Sequence, residues 1–96
     1  MAEVRIHDEA REELDDAHCW YWQRDQRAAD RLLSEFQIAL ERIAGQPQSF
    51  PEYDDEHRYV QLRTFPYLIV FRSNGDAVDV LAVAHARRRP GYWRDR

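Results

Sequence analysis

The segment His85-Ala86-Arg87-Arg88-Arg89-Pro90-Gly91-Tyr92-Trp93-Arg94-Asp95-Arg96 holds most of the side chains in this sequence that could do chemistry. It combines one imidazole, five guanidinium groups and two aromatic rings. Guanidinium forks pair bidentately with phosphate or carboxylate and stack on aromatic faces, and Tyr and Trp favour interfaces. Two readings follow. As an open surface, the segment binds an acidic partner, RNA or protein, through Arg87, Arg88, Arg89, Tyr92, Trp93 and Arg94. Folded back, it places Tyr92 and Trp93 at the edge of the core and pairs its Arg residues with acidic helices. His85, whose ordinary pKa lies near neutrality, is a candidate general acid or base. Arg58, Arg63 and Arg72 fall at expected strand ends. With the tail they could form a positive concave face, although each alone also fits a solvated charge.

The charge balance narrows the partners. All 14 basic residues are Arg, there is no Lys, and 18 acids bring the net charge to −4. Residues 1–84 sum to −8 and residues 85–96 to +4. An indiscriminate binder of nucleic acid would be basic overall, so this is an acidic body with one basic end. No sequence points to a DNA-reading helix, a Gly-rich phosphate loop or a nucleophile elbow. His7, His18 and His57 lack metal-ligand spacing, so neither a metal nor a cofactor is expected. Cys19, the only cysteine, excludes an intrachain disulfide and reads as a structural thiol. No apolar run is long enough to span a membrane, and the N-terminus lacks the apolar region of a signal peptide. The expected compartment is the cytoplasm.

The elements that position these groups can be read from periodicity. Val4–His7 alternates as a short strand. Asp8 is expected to cap a helix that runs to about Arg24, with Ala10, Leu14, Ala17 and Tyr21 on its inner face. Trp20, Tyr21 and Trp22 are consecutive and therefore about 100° apart, so Trp20 or Trp22 must reach the rim or the outside. A second helix begins near Arg27, carries Ala28, Ala29, Leu32, Phe36, Leu40 and Ile43 on one face, and stops at Gly45 (as C′) and Pro47. Residues 45–57 form a loop whose acidic run, Glu52–Glu56, reads as solvated. The period then becomes two. Strands are expected at Arg58–Arg63, Tyr67–Arg72 and Ala77–Ala84. Asn74-Gly75 supplies the two positive-φ positions of a type I′ hairpin. The last strand is nearly all apolar and is expected to be internal. Ninety-six residues make one domain, 1–96, with 85–96 as its basic aromatic tail. The order is β-α-α-β-β-β, an α+β fold in which an antiparallel helix hairpin packs on one face of a small, largely antiparallel sheet.

Three segments together resemble the RelE/ParE superfamily of bacterial toxin–antitoxin toxins, and within it the ParE-like, plasmid-stabilisation branch. They are the first strand and helix with Ala10, Leu14 and the aromatics 20–22; Pro47…Phe50-Pro51 leading through Arg58 to Leu62…Phe65-Pro66-Tyr67…Ile69…Phe71-Arg72; and Val80–His85 followed by Arg88/Arg89-Pro90 and Tyr92-Trp93. The resemblance implies a toxin neutralised by a cognate antitoxin that supplies the DNA-binding part. Its ParE-like members act against DNA gyrase and are not nucleases. Its RelE-like members cleave mRNA on the ribosome, and in that case His85, Tyr92, Arg58, Arg63, Arg72 and Arg87 would supply the proton acceptor, donor and cations. RelE-like nucleases are generally basic and use Lys, so an acidic chain without Lys favours the gyrase reading. A non-toxic interaction module of the same fold is a third reading. The antitoxin is expected to cover the tail and the Trp20/Trp22 region as an amphipathic helix.

Overall fold

A computed structural model describes residues 1–96. The chain runs β1 (Glu3–Ile6), α1 (Asp8–Trp22), α2 (Gln26–Gly45), a 3-10 turn (Pro47–Ser49), β2 (Arg58–Gln61), β3 (Tyr67–Asn74) and β4 (Ala77–His85). The sheet order is β1-β4-β3-β2. β4 pairs in parallel with β1 and antiparallel with β3, and β3 pairs antiparallel with β2. The expected fold class is therefore present, with β4 internal as its apolar run requires.

Local chemistry explains the helix hairpin. The carboxylate of Asp25 accepts hydrogen bonds from the backbone N–H groups of Arg27 and Ala28, at 3.0 and 3.4 Å, and so starts α2. Only residues 23–25 separate the helices, which makes them antiparallel neighbours. α1 buries Ala10, Leu14 and Ala17. α2 buries Ala28, Ala29, Leu32, Phe36, Ala39, Ile43 and Ala44, one stripe at helical spacing. These faces close over Ile69, Phe71, Val78, Val80 and Val83 of the sheet.

Four local expectations need correcting. The cap of α1 is His7, whose Nδ1 accepts from the Glu9 N–H at 3.2 Å; Asp8 is already helical and contributes its charge to the first turn. Gly45 is the last helical residue and does not adopt a positive φ, so it is not a left-handed terminator. In the β3–β4 hairpin, Asn74 pairs with Ala77 and leaves Gly75-Asp76 as the loop. Only Gly75 has a positive φ, 65°. A positive φ at the first loop residue alone is the pattern of a type II′ turn, not of I′. Cys19 is exposed.

β4 also contains a bulge. Val70 pairs with Ala82 but Phe71 pairs with Val80, which leaves Leu81 as the extra residue. The bulge resets the alternation, so Val78, Val80 and Val83 share the helix side while Ala82 and Ala84 face the other way. That second face is covered by Trp93 from the tail.

The facing of α2 is directly checkable. Leu32 is fully buried and Leu33 is 40% exposed. Leu32→Ala should lower the unfolding free energy by about 2–5 kcal/mol, and Leu33→Ala by under about 0.5 kcal/mol, as read from urea denaturation; the reverse order would mean that the helix faces the other way.

Candidate functional site

β1 ends opposite Val80, and His7 N–H closes the ladder on the Val80 carbonyl at 2.9 Å. Beyond that point β4 has no strand on its β1 side, and its exposed backbone groups need other partners. Glu13, from the inner side of α1, meets the need. Its Oε1 accepts the Val83 N–H at 3.0 Å, and its Oε2 accepts the Tyr92 hydroxyl. Arg96 grips the same carboxylate through both terminal nitrogens, at 2.8 and 3.2 Å. One of those nitrogens also donates to the Leu81 carbonyl at 3.0 Å, and Arg96 Nε lies 3.0 Å from Glu9. The Glu13 and Arg96 side chains are only 14% and 11% exposed. Burial first, then the bond to Glu13, pushes the Tyr92 phenol well above the ordinary tyrosine range. The guanidinium of Arg96 is held protonated, because Glu13 outweighs the opposing effect of burial.

A second anchor holds the middle of the tail. Trp93 is 1% exposed. It packs edge-on against His57 and Tyr53, with ring centroids 4.7 and 5.0 Å away. His57 Nδ1 donates to Asp54 at 2.7 Å, and Asp54 also accepts from the Glu56 and His57 N–H groups and from Arg94 Nε. Burial raises the Asp54 pKa, but the hydrogen bonds from Glu56, His57 and Arg94 outweigh it and hold the carboxyl at about 2. Tyr67 is raised mainly by burial.

Both readings of the tail are therefore present in different residues. Tyr92, Trp93 and Arg96 fold back, and Trp93 offers no surface because the sheet has covered it. Arg87 and Arg89 project into solvent without an ion pair. Arg88 is half exposed, 3.9 Å above the Tyr92 ring and 3.9 Å from Glu13. Arg94, 51% exposed, reaches Asp54 at 3.2 Å. Trp20 and Trp22 are 51% and 45% exposed. At the turn, His85 Nδ1 accepts the Arg87 N–H at 3.0 Å, which leaves the neutral ring's proton on Nε2.

The residues cast for RNA cleavage are gathered only in part: Arg87 lies two residues beyond His85 and bonds to it through its backbone N–H, and Arg63 follows Leu62, whose N–H bonds to the Tyr67 carbonyl at the same end of the sheet, but Arg58 and Arg72 lie elsewhere. His85 pairs with Tyr67 at one end of β3–β4, whereas Arg72 pairs with Asp79 and Arg58 with Phe71 toward the other. Strand rise puts Asp79 and His85 about 20 Å apart. Arg58 donates to the Phe50 carbonyl at 2.6 Å and lies 3.5 Å from Glu52. Arg63 faces a shallow cleft against α2 with Glu35 and Arg42. Tyr92 is committed to Glu13.

Glu13, Asp54 and His57 were not among the expected site residues. The signal for Glu13 was present: it stands between Ala10 and Ala17 at spacings of three and four, so an acid lies on the buried stripe. Asp54 and His57 carried no such signal, because they sit in or beside an acidic loop.

Comparison with known proteins agrees with this architecture. The family model for the ParE toxin of the type II toxin–antitoxin system parDE matches residues 4–90. Toxin ParE2 of Mycobacterium tuberculosis, in strains CDC 1551 / Oshkosh and ATCC 25618 / H37Rv, is 31% identical over 88 residues, which cover 91% of this chain and 84% of that protein. A chain of the chromosomal ParDE toxin–antitoxin system from P. aeruginosa superposes with a TM-score of 0.65 at 19% identity, covering 88% of this chain and 96% of that one. At that identity the likeness is one of fold.

Two measurements test the anchors. In a spectrophotometric pH titration Tyr92 should ionise last among the tyrosines, and Glu13→Gln should bring its transition down toward the ordinary value near 10; an unchanged Tyr92 transition would break the link to Glu13. Asp54, with its folded pKa below the unfolded one, stabilises the protein at neutral pH and loses that effect as pH falls from about 4 toward 2. Asp54→Asn should therefore be less stable than wild type in urea at pH 7, and the gap should narrow below about pH 4. A constant gap would contradict the assignment.

Proposed function

The chain belongs to the ParE toxin family of type II toxin–antitoxin systems, and on that premise we propose that it is a cytoplasmic, protein-binding toxin that inhibits DNA gyrase and is neutralised by a cognate antitoxin. What supports this reading over the ribonuclease one is the commitment of Tyr92 to Glu13, together with the distance of Arg58 and Arg72 from His85 along the sheet. Attack of a 2′-hydroxyl on its phosphate needs acceptor, donor and cation within hydrogen-bond reach of one reacting centre. Here Tyr92, the natural donor, is bound to Glu13, and His85 Nδ1 is bound to the backbone. The acidic body adds long-range repulsion of ribosomal RNA.

The exposed residues support a protein-binding surface instead. Arg87 and Arg89 stand free on a turn whose two sides are fastened, by His85 before it and by Tyr92, Trp93 and Arg96 after it. Side chains on a turn with a fastened backbone lose less freedom on docking than those on a loose tail. Trp20 and Trp22, exposed on α1, provide the apolar part of a partner surface. An antitoxin segment that is amphipathic and acidic suits both patches, and covering Arg87 and Arg89 would neutralise the toxin by occlusion.

The wild-type protein should inhibit gyrase supercoiling, and Arg87→Ala/Arg89→Ala should fold normally while losing at least about tenfold in potency, or about 1.4 kcal/mol. No inhibition at high toxin excess would overturn the reading. Cleavage of mRNA in a translation extract, abolished by His85→Ala, would replace it with the ribonuclease.

A further inference from the structure

A cleft of about 420 Å³ opens between the C-terminal half of α1 and the unpaired end of β4, and its walls include Asp16, Trp20, Tyr21, Tyr67, His85 and Arg88. Its size falls within the range of about 300–1,000 Å³ usual for small-ligand pockets. We propose that this cleft receives an arginine side chain presented by a protein partner.

Arg88, the one Arg in the cleft wall, lies 3.9 Å from Glu13, and Arg96 behind it pairs with Glu13 and Glu9. Asp16 is exposed and makes no ion pair, so it is the uncompensated charge of the cleft. The helix that carries it has six acids between Asp8 and Asp16 against one base, Arg11, so the α1 wall of the cleft favours a cation, while the free Arg87 and Arg89 lie on the turn beyond His85. His85 lends no fixed charge when its Nδ1 is an acceptor.

The walls then select among cations. Trp20, Tyr21 and Tyr67 are the electron-rich rings that attract a cation over their faces, Trp most strongly. The protein already uses one of them in this way: the Arg24 guanidinium lies 3.9 Å from the Trp20 ring centroid, fastened by a 2.8 Å bond to the Trp20 carbonyl. Arg24 is not among the residues lining the cleft. A planar guanidinium can stack on an aromatic wall and fork onto the Asp16 carboxylate at once, while its methylene stem lies along Ala17 and Val83. A lysine ammonium, more strongly hydrated and without a flat face, gains less from such walls.

The test uses the isolated protein, labelled with nitrogen-15, and N-acetyl-arginine amide as the probe. It involves neither gyrase nor antitoxin, so it stands or falls apart from the reading above. The protein has three indole N–H groups, and Trp20→Phe identifies the one that matters. The Trp20 signal should shift saturably at millimolar probe while the Trp22 signal stays put. N-acetyl-citrulline amide, neutral and nearly isosteric, should bind at least about fivefold more weakly, and Asp16→Asn should weaken the arginine probe by a similar factor, as for an exposed ion pair of about 1 kcal/mol. No saturable shift at Trp20, equal binding of citrulline, or undiminished binding to Asp16→Asn would each overturn the proposal.

Discussion

The central strand outruns its neighbour. β1 ends opposite Val80, yet β4 continues to His85, and a bulge at Leu81 turns its backbone just where the pairing stops. Unpaired N–H and C=O groups on a buried strand are costly, and open edges invite association. Here the edge is closed by side chains. Glu13 takes the Val83 N–H, Arg96 takes the Leu81 carbonyl, and each satisfies the other. Removing one member would strand a nearly buried charge, at a cost of about 3–5 kcal/mol. The position of the C-terminal segment follows from this arrangement, because Arg96 and Tyr92 must reach the same carboxylate.

That constraint gives the charge asymmetry a structural purpose. The acidic α1 serves as the receptor for the tail, with Glu9 and Glu13 answering Arg96 and Arg88. Trp93 is drawn over the sheet face that the helices leave uncovered, with Asp54 and His57 behind it. Between these fixed points Arg87 and Arg89 remain unpaired. The same segment is thus packed at its anchors and available at its turn. The fork geometry also gives the exclusive use of Arg a local role at Glu13, since an ammonium cannot hold both carboxylate oxygens and a backbone carbonyl in this way.

Much of the fold was legible because its signals are periodic. The stripe on α2, the alternation of Val60 and Leu62 and the break at Asn74-Gly75 each specify an element by spacing alone. The bulge was not legible, because β4 is apolar on both faces and a shift of register leaves no trace in such a run. The cap of α1 is ambiguous by one residue in the sequence, since His7 and Asp8 both carry an acceptor at a helix start. For the candidate site the limit was of another kind. Trp93 and Tyr92 suit either a wet interface or a core edge, and the partner that decides, Glu13, lies some eighty residues away in the chain. The acidic loop hid Asp54 for the same reason: composition marks it as solvated, and only the packing of Trp93 makes one of its carboxylates structural.

Amide hydrogen exchange at Val83 tests the central claim, that Glu13 and the folded tail close the open edge of β4. The N–H of Val83 has no strand partner, so only Glu13 can protect it. The account predicts that it exchanges as slowly as the paired amides of β3 and β4 in the wild-type protein, and much faster in Arg96→Ala, where the tail is released. A Val83 amide that exchanges as fast in the wild type as that of the exposed Arg89, or that is indifferent to Arg96, would contradict it.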